Sequence, residues 1–302
     1  MKLIPGKAIA NSILEKIKHE VSILDVKPRL ALIQASNDEA TNIYVTSKIK
    51  DALKVGIEVD RFHFDEFKYS EARELINRLN NEKYVNGVII QLPIVVESGA
   101  NWLDYLSLVS EEKDVDGLTY ASQGKLWQGT ISNVFWPATV EGIIKCLEYV
   151  AIYEDGEYSS NEIDPNVINK KLDTYLKSKN IVIVNDSVVV GKPIAAILSS
   201  KSATVTICHK HTTNLSQHIK NADIIVSATG VPRLINSDSL KEGCVAIDVG
   251  IARENGKVVG DFDFDSLKNR NIWATPVPGG VGPLTRIMLL NNVVKAYNQQ
   301  NR

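Results

Sequence analysis

Along this chain, short apolar, β-branched runs alternate with segments whose apolar residues recur every three or four positions. The runs RLALIQA (29–35), GVIIQL (87–92), IVIV (181–184), ATVTIC (203–208), DIIVSA (223–228), CVAIDV (244–249) and the segment 272–275 predict strands. Their apolar continuity implies strands buried on both faces, and so parallel sheets in a three-layer α/β fold. The stretch SNDEATNIYVTSKIKDALKVGI carries Val45, Ile49, Ala52 and Leu53 at helical spacing and predicts an amphipathic helix. Ile287, Leu290, Val293, Val294 and Tyr297 predict another helix ending the chain. The pattern lapses between Leu147 and Lys179, in YVAIYEDGEYSSNEIDPNVINKK, which predicts a domain boundary. Residues 152–165 read as a solvated excursion dispensable for fold and catalysis, followed by one short helix from Val167 to Leu176.

Composition narrows the partners more than the fold. The 302 residues suffice for two domains, and 44% hydrophobic with 23% charged content is ordinary for a globular protein. A net charge of −2 gives no basis for a nucleic-acid or anionic-membrane surface. No apolar run approaches the ~20 residues of a membrane span, and MKLIPGKAIANSILEKI reads as structure rather than a signal peptide. Cys146, Cys208 and Cys244 are odd in number and scattered, which points to reduced thiols and a cytosolic compartment.

Four stretches carry candidate chemistry. In NIVIVNDSVVVGKP (180–193) a strand turns into a helix at Gly191, the kind of place where a dinucleotide rests its phosphates. Tyr44 and Lys48 lie four apart on the first predicted helix: either a rim tyrosine packed on a lysine stem, or a functional pair. Gln91 ends a strand just before Leu92-Pro93, and Asp114 and Asp116 share a turn closed by Gly117. That turn is either an Asx cap or part of the same crevice. In ATPVPGGVGPLTRIMLLNN (274–292) three prolines and three glycines fall within eight residues, making a stiff loop that brings backbone close to a ligand.

Taken together, YVTSK (44–48), GVIIQLP (87–93), KDVDG (113–117), VVVGKP (188–193) and TPVPGGVGPLT (275–285) resemble the bifunctional methylenetetrahydrofolate dehydrogenase/methenyltetrahydrofolate cyclohydrolase family. The resemblance implies an α/β chain of two three-layer domains with the active-site cleft between them. A folate-binding domain would cover 1–146, rejoined by the C-terminal helix 283–302. A Rossmann-like, doubly wound domain for NAD or NADP would cover 147–282, with a surface excursion at about 152–180. It further implies a homodimer acting on tetrahydrofolate derivatives. By motif, Lys48 would be the catalytic lysine, Tyr44 would position the folate, Gln91 would hydrogen-bond the lysine, and Asp116 would anchor the pterin. Leu92, Pro278, Gly279, Gly280, Val281 and Gly282 would line the folate site. Asn185, Asp186, Ser187, Gly191, Lys210 and Ile251 would contact the cofactor.

The residue types suit that chemistry. Hydride transfer needs alignment more than proton abstraction, whereas hydrolysis of a methenyl cation needs proton transfer, which a lysine such as Lys48 can supply if it is partly neutral near pH 7. Two small departures from the family pattern, Ile94-Val95 after the proline and Pro137-Ala138-Thr139-Val140, leave these residues intact. The larger one is Asn185-Asp186-Ser187, where the family has Gly-Arg-Ser. Asp186 would repel the 2′-phosphate of NADP and favours NAD, unless Lys210 neutralises it. CHKHTT (208–213) is read as a loop beside the adenosine rather than a metal site, since alternate extended residues project oppositely. A dehydrogenase lacking the hydrolase would have lost Lys48. A non-catalytic nucleotide sensor would have lost the folate residues.

Overall fold

The computed structural model describes residues 1–132, 134–154 and 165–301. In chain order, β1 (Lys2–Leu3) leads to α1 (Gly6–Ser22), then β2 (Arg29–Ala35), α2 (Glu39–Val55), β3 (Glu58–Phe64), α3 (Tyr69–Asn81) and β4 (Gly87–Gln91). There follow α4 (Trp102–Leu106), α5 (Tyr120–Trp127), α6 (Ala138–Tyr153), α7 (Pro165–Leu176), β5 (Asn180–Val184), α8 (Gly191–Ser200), β6 (Thr204–Cys208) and α9 (Leu215–Ile219). The remainder is β7 (Ile224–Ser227), β8 (Val245–Asp248), a hairpin of β9 (Ala252–Glu254) and β10 (Lys257–Val259), α10 (Phe264–Leu267), β11 (Trp273–Ala274) and α11 (Val281–Gln300).

The chain divides into two compact units: Met1–Ala10 with Thr139–Thr285, and Asn11–Ala138 with the chain from Arg286 onward. This differs from the expected boundary at 146. Met1–Ala10 go with the later residues because β1 pairs in parallel with β11, Lys2 opposite Trp273 and Leu3 opposite Ala274. The expected excursion also shrinks. Ile152 is buried in α6, so the dispensable segment expected at 152–165 does not begin there, while the helix expected over 167–176 forms as α7 and buries Leu172 and Leu176. Residues 155–164 lie outside the described residues.

Each unit is built on a parallel sheet whose strand order reverses. The first sheet runs β1-β11-β8-β7-β5-β6, and the chain passes from β5 to β6 on one side before returning to β7 on the other. The second runs β3-β2-β4, reversing at β2. Ligands of such sheets bind outside the carboxyl ends of the strands where the order reverses. Those ends are Asn185 and Ala228 in one unit, and Gln34 opposite Gln91 in the other. The buried strands are continuous apolar runs, as their sequences require, each buried Leu or Ile contributing roughly 1.5–3 kcal/mol. The edge strand β3 alternates in burial instead, which is why EVDRFHF carries no continuous apolar signal.

Lys113 of the KDVDG stretch closes α3. Its buried ammonium donates to Leu79 O (2.8 Å) and Glu82 O (2.7 Å) at that helix's C-terminus, the second of which also accepts from Val85 N (3.2 Å). Lys113→Met keeps the stem but removes the donor to Leu79 O and one of the two donors to Glu82 O. It should lower unfolding stability by about 1–3 kcal/mol in urea titration. An unchanged midpoint would show the contacts to be incidental.

Candidate active site

In the three-stranded unit, α2 is fixed before it presents any functional group. Asp38 caps it by accepting from Thr41 N (2.8 Å), and hydrogen bonds from Ser36 and then Thr41 hold its carboxyl down at about 2. Buried Gln34 donates to Ser36 O (2.7 Å) and Asn42 Oδ1 (2.8 Å) and accepts from Arg61 (2.8 Å). The face that α2 buries is Thr41, Val45, Lys48, Ala52 and Val55. Leu53, expected on the apolar face, is 60% exposed. A 3.6-residue period centred on Val45 and Ala52 places Lys48 on the buried stripe and swings Leu53 outward.

Lys48 is therefore a lysine in an apolar position, 7% exposed, its Nζ 5.3 Å from the centroid of the Tyr44 ring. Burial pushes its pKa down, and the Asp116 charge opposes that shift. Burial and Asp116 push the Tyr44 hydroxyl up, while Arg286 works against them. The expected hydrogen bond from Gln91 to Lys48 is not formed. Gln91, 8% exposed, spends its donor on Leu92 O (2.6 Å), leaving its Oε1 buried with no partner. Leu92 is half-buried, and the Leu92–Pro93 peptide is cis.

The DVDG turn separates its two aspartates by role. Asp114 accepts from Leu118 N (3.2 Å), Thr119 N (3.0 Å) and Ser122 Oγ (2.6 Å), so it is a structural cap whose pKa burial pushes up. Asp116 makes no hydrogen bond or ion pair among the described residues and stays partly exposed. Burial raises its pKa and Lys48 lowers it. Sequence reasoning missed Arg286, which lies 3.0 Å from Asp51 Oδ2 as a charge contact without hydrogen-bond alignment. The one signal was Asp51 sitting three residues after Lys48.

In the six-stranded unit, Asn185 organises the turn between β5 and α8. Its Oδ1 accepts from Ser187 N (2.9 Å), Ser187 Oγ (2.6 Å) and Gly191 N (3.0 Å), and its Nδ2 donates to Ala228 O (2.7 Å). A Cβ on Gly191 would sit 2.0 Å from Asn185 O, so no other residue fits there. The amides of Asp186, Val188 and Val189 have no acceptor among the described residues, which suits a phosphate. Asp186 and Lys210 are both exposed, each two residues past the paired Val184 and Cys208, and they form no ion pair with each other. His209 Nδ1 accepts from His211 N (3.2 Å), so CHKHTT is a closed turn rather than the extended segment assumed. Among the described residues, no group of three or more His, Cys, Asp or Glu could hold a metal.

Ile251 is 62% exposed at the carboxyl edge of this sheet, on a loop tied down by two aspartates. Asp248 accepts from Gly250 N, Asp261 N and Phe262 N (each 3.0 Å), and Asp261 accepts from Ser227 Oγ and Thr229 N (each 2.6 Å). In the Pro-Gly loop the Val277–Pro278 peptide is cis, and Gly279 has a φ of 108°. Pro278 and Gly282 are exposed and Gly279 is half-buried, whereas Gly280 and Val281 are buried. The Val281 side chain packs towards Gly142 and supports the loop from beneath.

Two family models match this chain. One, described as tetrahydrofolate dehydrogenase/cyclohydrolase, catalytic domain, covers residues 4–116; the other, the NAD(P)-binding domain of the same family, covers 166–301. The bifunctional protein FolD of Lactobacillus acidophilus is 40% identical over 304 residues, spanning 99% of this chain and 98% of its own. The solved FolD methylenetetrahydrofolate dehydrogenase/cyclohydrolase of Campylobacter jejuni is 35% identical, with a TM-score of 0.86 over 99% of each chain. The Trypanosoma brucei enzyme, solved with NADP cofactor and an inhibitor, is 27% identical, with a TM-score of 0.84 over 99% of this chain and 98% of its own.

Burial, opposed by three amide hydrogen bonds and reinforced by Asp261, raises the Asp248 pKa to about 6. A carboxyl raised above its unfolded value of 3.8 contributes stability that is full below 3.8 and lost as pH rises through about 6. Asp261→Asn preserves the shape and removes the neighbouring charge. Its denaturation midpoint should vary less between pH 4 and pH 7 than the parent's; parallel pH profiles would refute the coupling.

Proposed function

The chain belongs to the tetrahydrofolate dehydrogenase/cyclohydrolase family, and from that premise we propose which of its residues carry out the two reactions. It oxidises 5,10-methylenetetrahydrofolate to the 5,10-methenyl compound with a nicotinamide cofactor, then hydrolyses that product to 10-formyltetrahydrofolate. The observation carrying this reading is the buried Lys48 amine under the Tyr44 ring, with an unpartnered Gln91 Oε1 and an uncommitted Asp116 carboxylate in the same unit.

Each group has a task its surroundings suit. Tyr44 offers a partly exposed ring for a flat ligand to stack on. Asp116, bonded to nothing among the described residues, accepts from the N–H donors of the pterin. For the Pro-Gly loop of the other unit, contact with the folate is what the resemblance implies. A nicotinamide cofactor, when bound, supplies the hydride acceptor. The Asn185–Gly191 turn would hold its pyrophosphate through free amides, and Ile251 and Lys210 lie beside its other parts.

In the hydrolysis, water adds to the cationic methenyl carbon and gives up a proton. Lys48, its pKa lowered by burial, takes that proton at Nζ and delivers it to N5 as the carbon–N5 bond breaks, while the remaining hydroxyl proton is released to solvent and the formyl group stays on N10. Gln91, its buried Oε1 left without a partner, brings no charge to the site, whereas a carboxylate at that position would favour the protonated amine. The intact Lys48 disfavours a dehydrogenase-only role, and the intact folate residues disfavour a nucleotide sensor. A homodimer is the assembly the resemblance implies, and three buried free thiols fit a cytosolic location.

Two measurements test this. Lys48→Gln should lower hydrolysis of methenyltetrahydrofolate by at least about a hundredfold while leaving hydride transfer measurable. Hydrolysis at near the parent rate would remove Lys48 from the mechanism. For the cofactor, an unneutralised Asp186 repels a 2′-phosphate at an open, salt-screened rim, a penalty of about tenfold in affinity. NAD should therefore serve at least as well as NADP in kcat/KM at saturating methylenetetrahydrofolate. A tenfold or greater preference for NADP would transfer the discrimination to Lys210.

A further inference from the structure

We infer that Asn292, on α11, is a positioning residue that holds the Asp116 turn in place through its side-chain amide. This rests on the folate-site role proposed for Asp116. Asp116 makes no hydrogen bond or ion pair of its own among the described residues, so the main chain on either side must place its carboxylate. On the C-terminal side, Gly117 adopts a φ of 64°, and a Cβ there would sit 2.4 Å from Phe135 O, which presses the turn against the 135–137 segment. On the N-terminal side, Val115 is buried and its carbonyl points at α11. Asn292 Nδ2 donates there (3.0 Å) and, with its second hydrogen, to Trp136 O (3.0 Å).

One primary amide thus joins the turn to the segment it packs on, with both donors engaged and the residue 0% exposed. The assignment of its nitrogen is forced, because both partners are carbonyl oxygens that only accept. Its own Oδ1 accepts from Lys295 Nζ (3.4 Å), which orients the amide. Among the small side chains that fit a helix interior, only an amide supplies two hydrogens in a fork. Serine supplies one, alanine none, and an isosteric aspartate would set oxygens against both carbonyls. Asp116 also opposes the burial-driven shift at Lys48, so a displaced turn would alter substrate binding and the amine's protonation together.

The test is steady-state kinetics on the full-length protein, with thermal melting alongside. For Asn292→Ala we expect KM for methylenetetrahydrofolate to rise about tenfold, with kcat of hydride transfer and KM for the nicotinamide cofactor within about twofold of the parent. The apparent pKa of cyclohydrolase activity should fall as Asp116 moves from Lys48. Asn292→Ser, retaining one donor, should shift KM in the same direction by less, and it decides the matter if the alanine variant does not fold. An unchanged folate KM, or a uniform loss of activity that tracks only the melting temperature, overturns the role. A parent protein inactive with methylenetetrahydrofolate would instead overturn the folate-site reading itself.

Discussion

Placing a lysine amine on the buried face of α2 is the constraint on which this site depends. Burying an ammonium costs several kcal/mol unless it is paired, and Lys48 has no ion pair among the described residues to offset it. What the fold provides is weaker: the Tyr44 ring at 5.3 Å, worth about 0.5–2 kcal/mol, and the field of Asp116. The remaining penalty appears as a lowered pKa, which is what a proton-transferring amine requires. A tighter salt bridge would stabilise the protein more and disable the residue.

That balance holds only if the surrounding groups are fixed. The start of α2 is locked by the Asp38 cap and by Gln34, whose hydrogen bonds fix Ser36, Asn42 and Arg61 around it. The Asp114 cap and the forked Asn292 amide fix the turn presenting Asp116. The six-stranded unit uses the same device. Asn185 and Asp248 spend their oxygens on backbone amides, so Asp186 and Ile251 are presented on braced loops. The side chains of Asp116 and Asp186 make no hydrogen bond among the described residues, and their neighbours absorb the hydrogen bonding.

Much of the fold was legible in the sequence because continuous apolar runs mark buried parallel strands. Failures trace to local signals that tertiary contacts override. Lys2–Leu3 is too short to read as a strand and becomes one by pairing with Trp273–Ala274. The polar composition around α7 masked Leu172 and Leu176. The predicted helical stripe follows apolar residues alone and so runs through Leu53, whereas the buried face runs through Lys48. Lys113, Arg286 and Asn292 act on partners far along the chain, and periodicity carries no trace of such pairings.

The most direct test is the ionisation of the Lys48 amine itself, followed by 13C NMR of the protein with isotopically labelled lysine and assigned against Lys48→Gln. Burial on the α2 stripe predicts titration clearly below the ordinary lysine value of about 10.4, and lower still in Asp116→Asn, where the opposing charge is gone. A Lys48 resonance that titrates with the exposed lysines and ignores Asp116 would contradict the account.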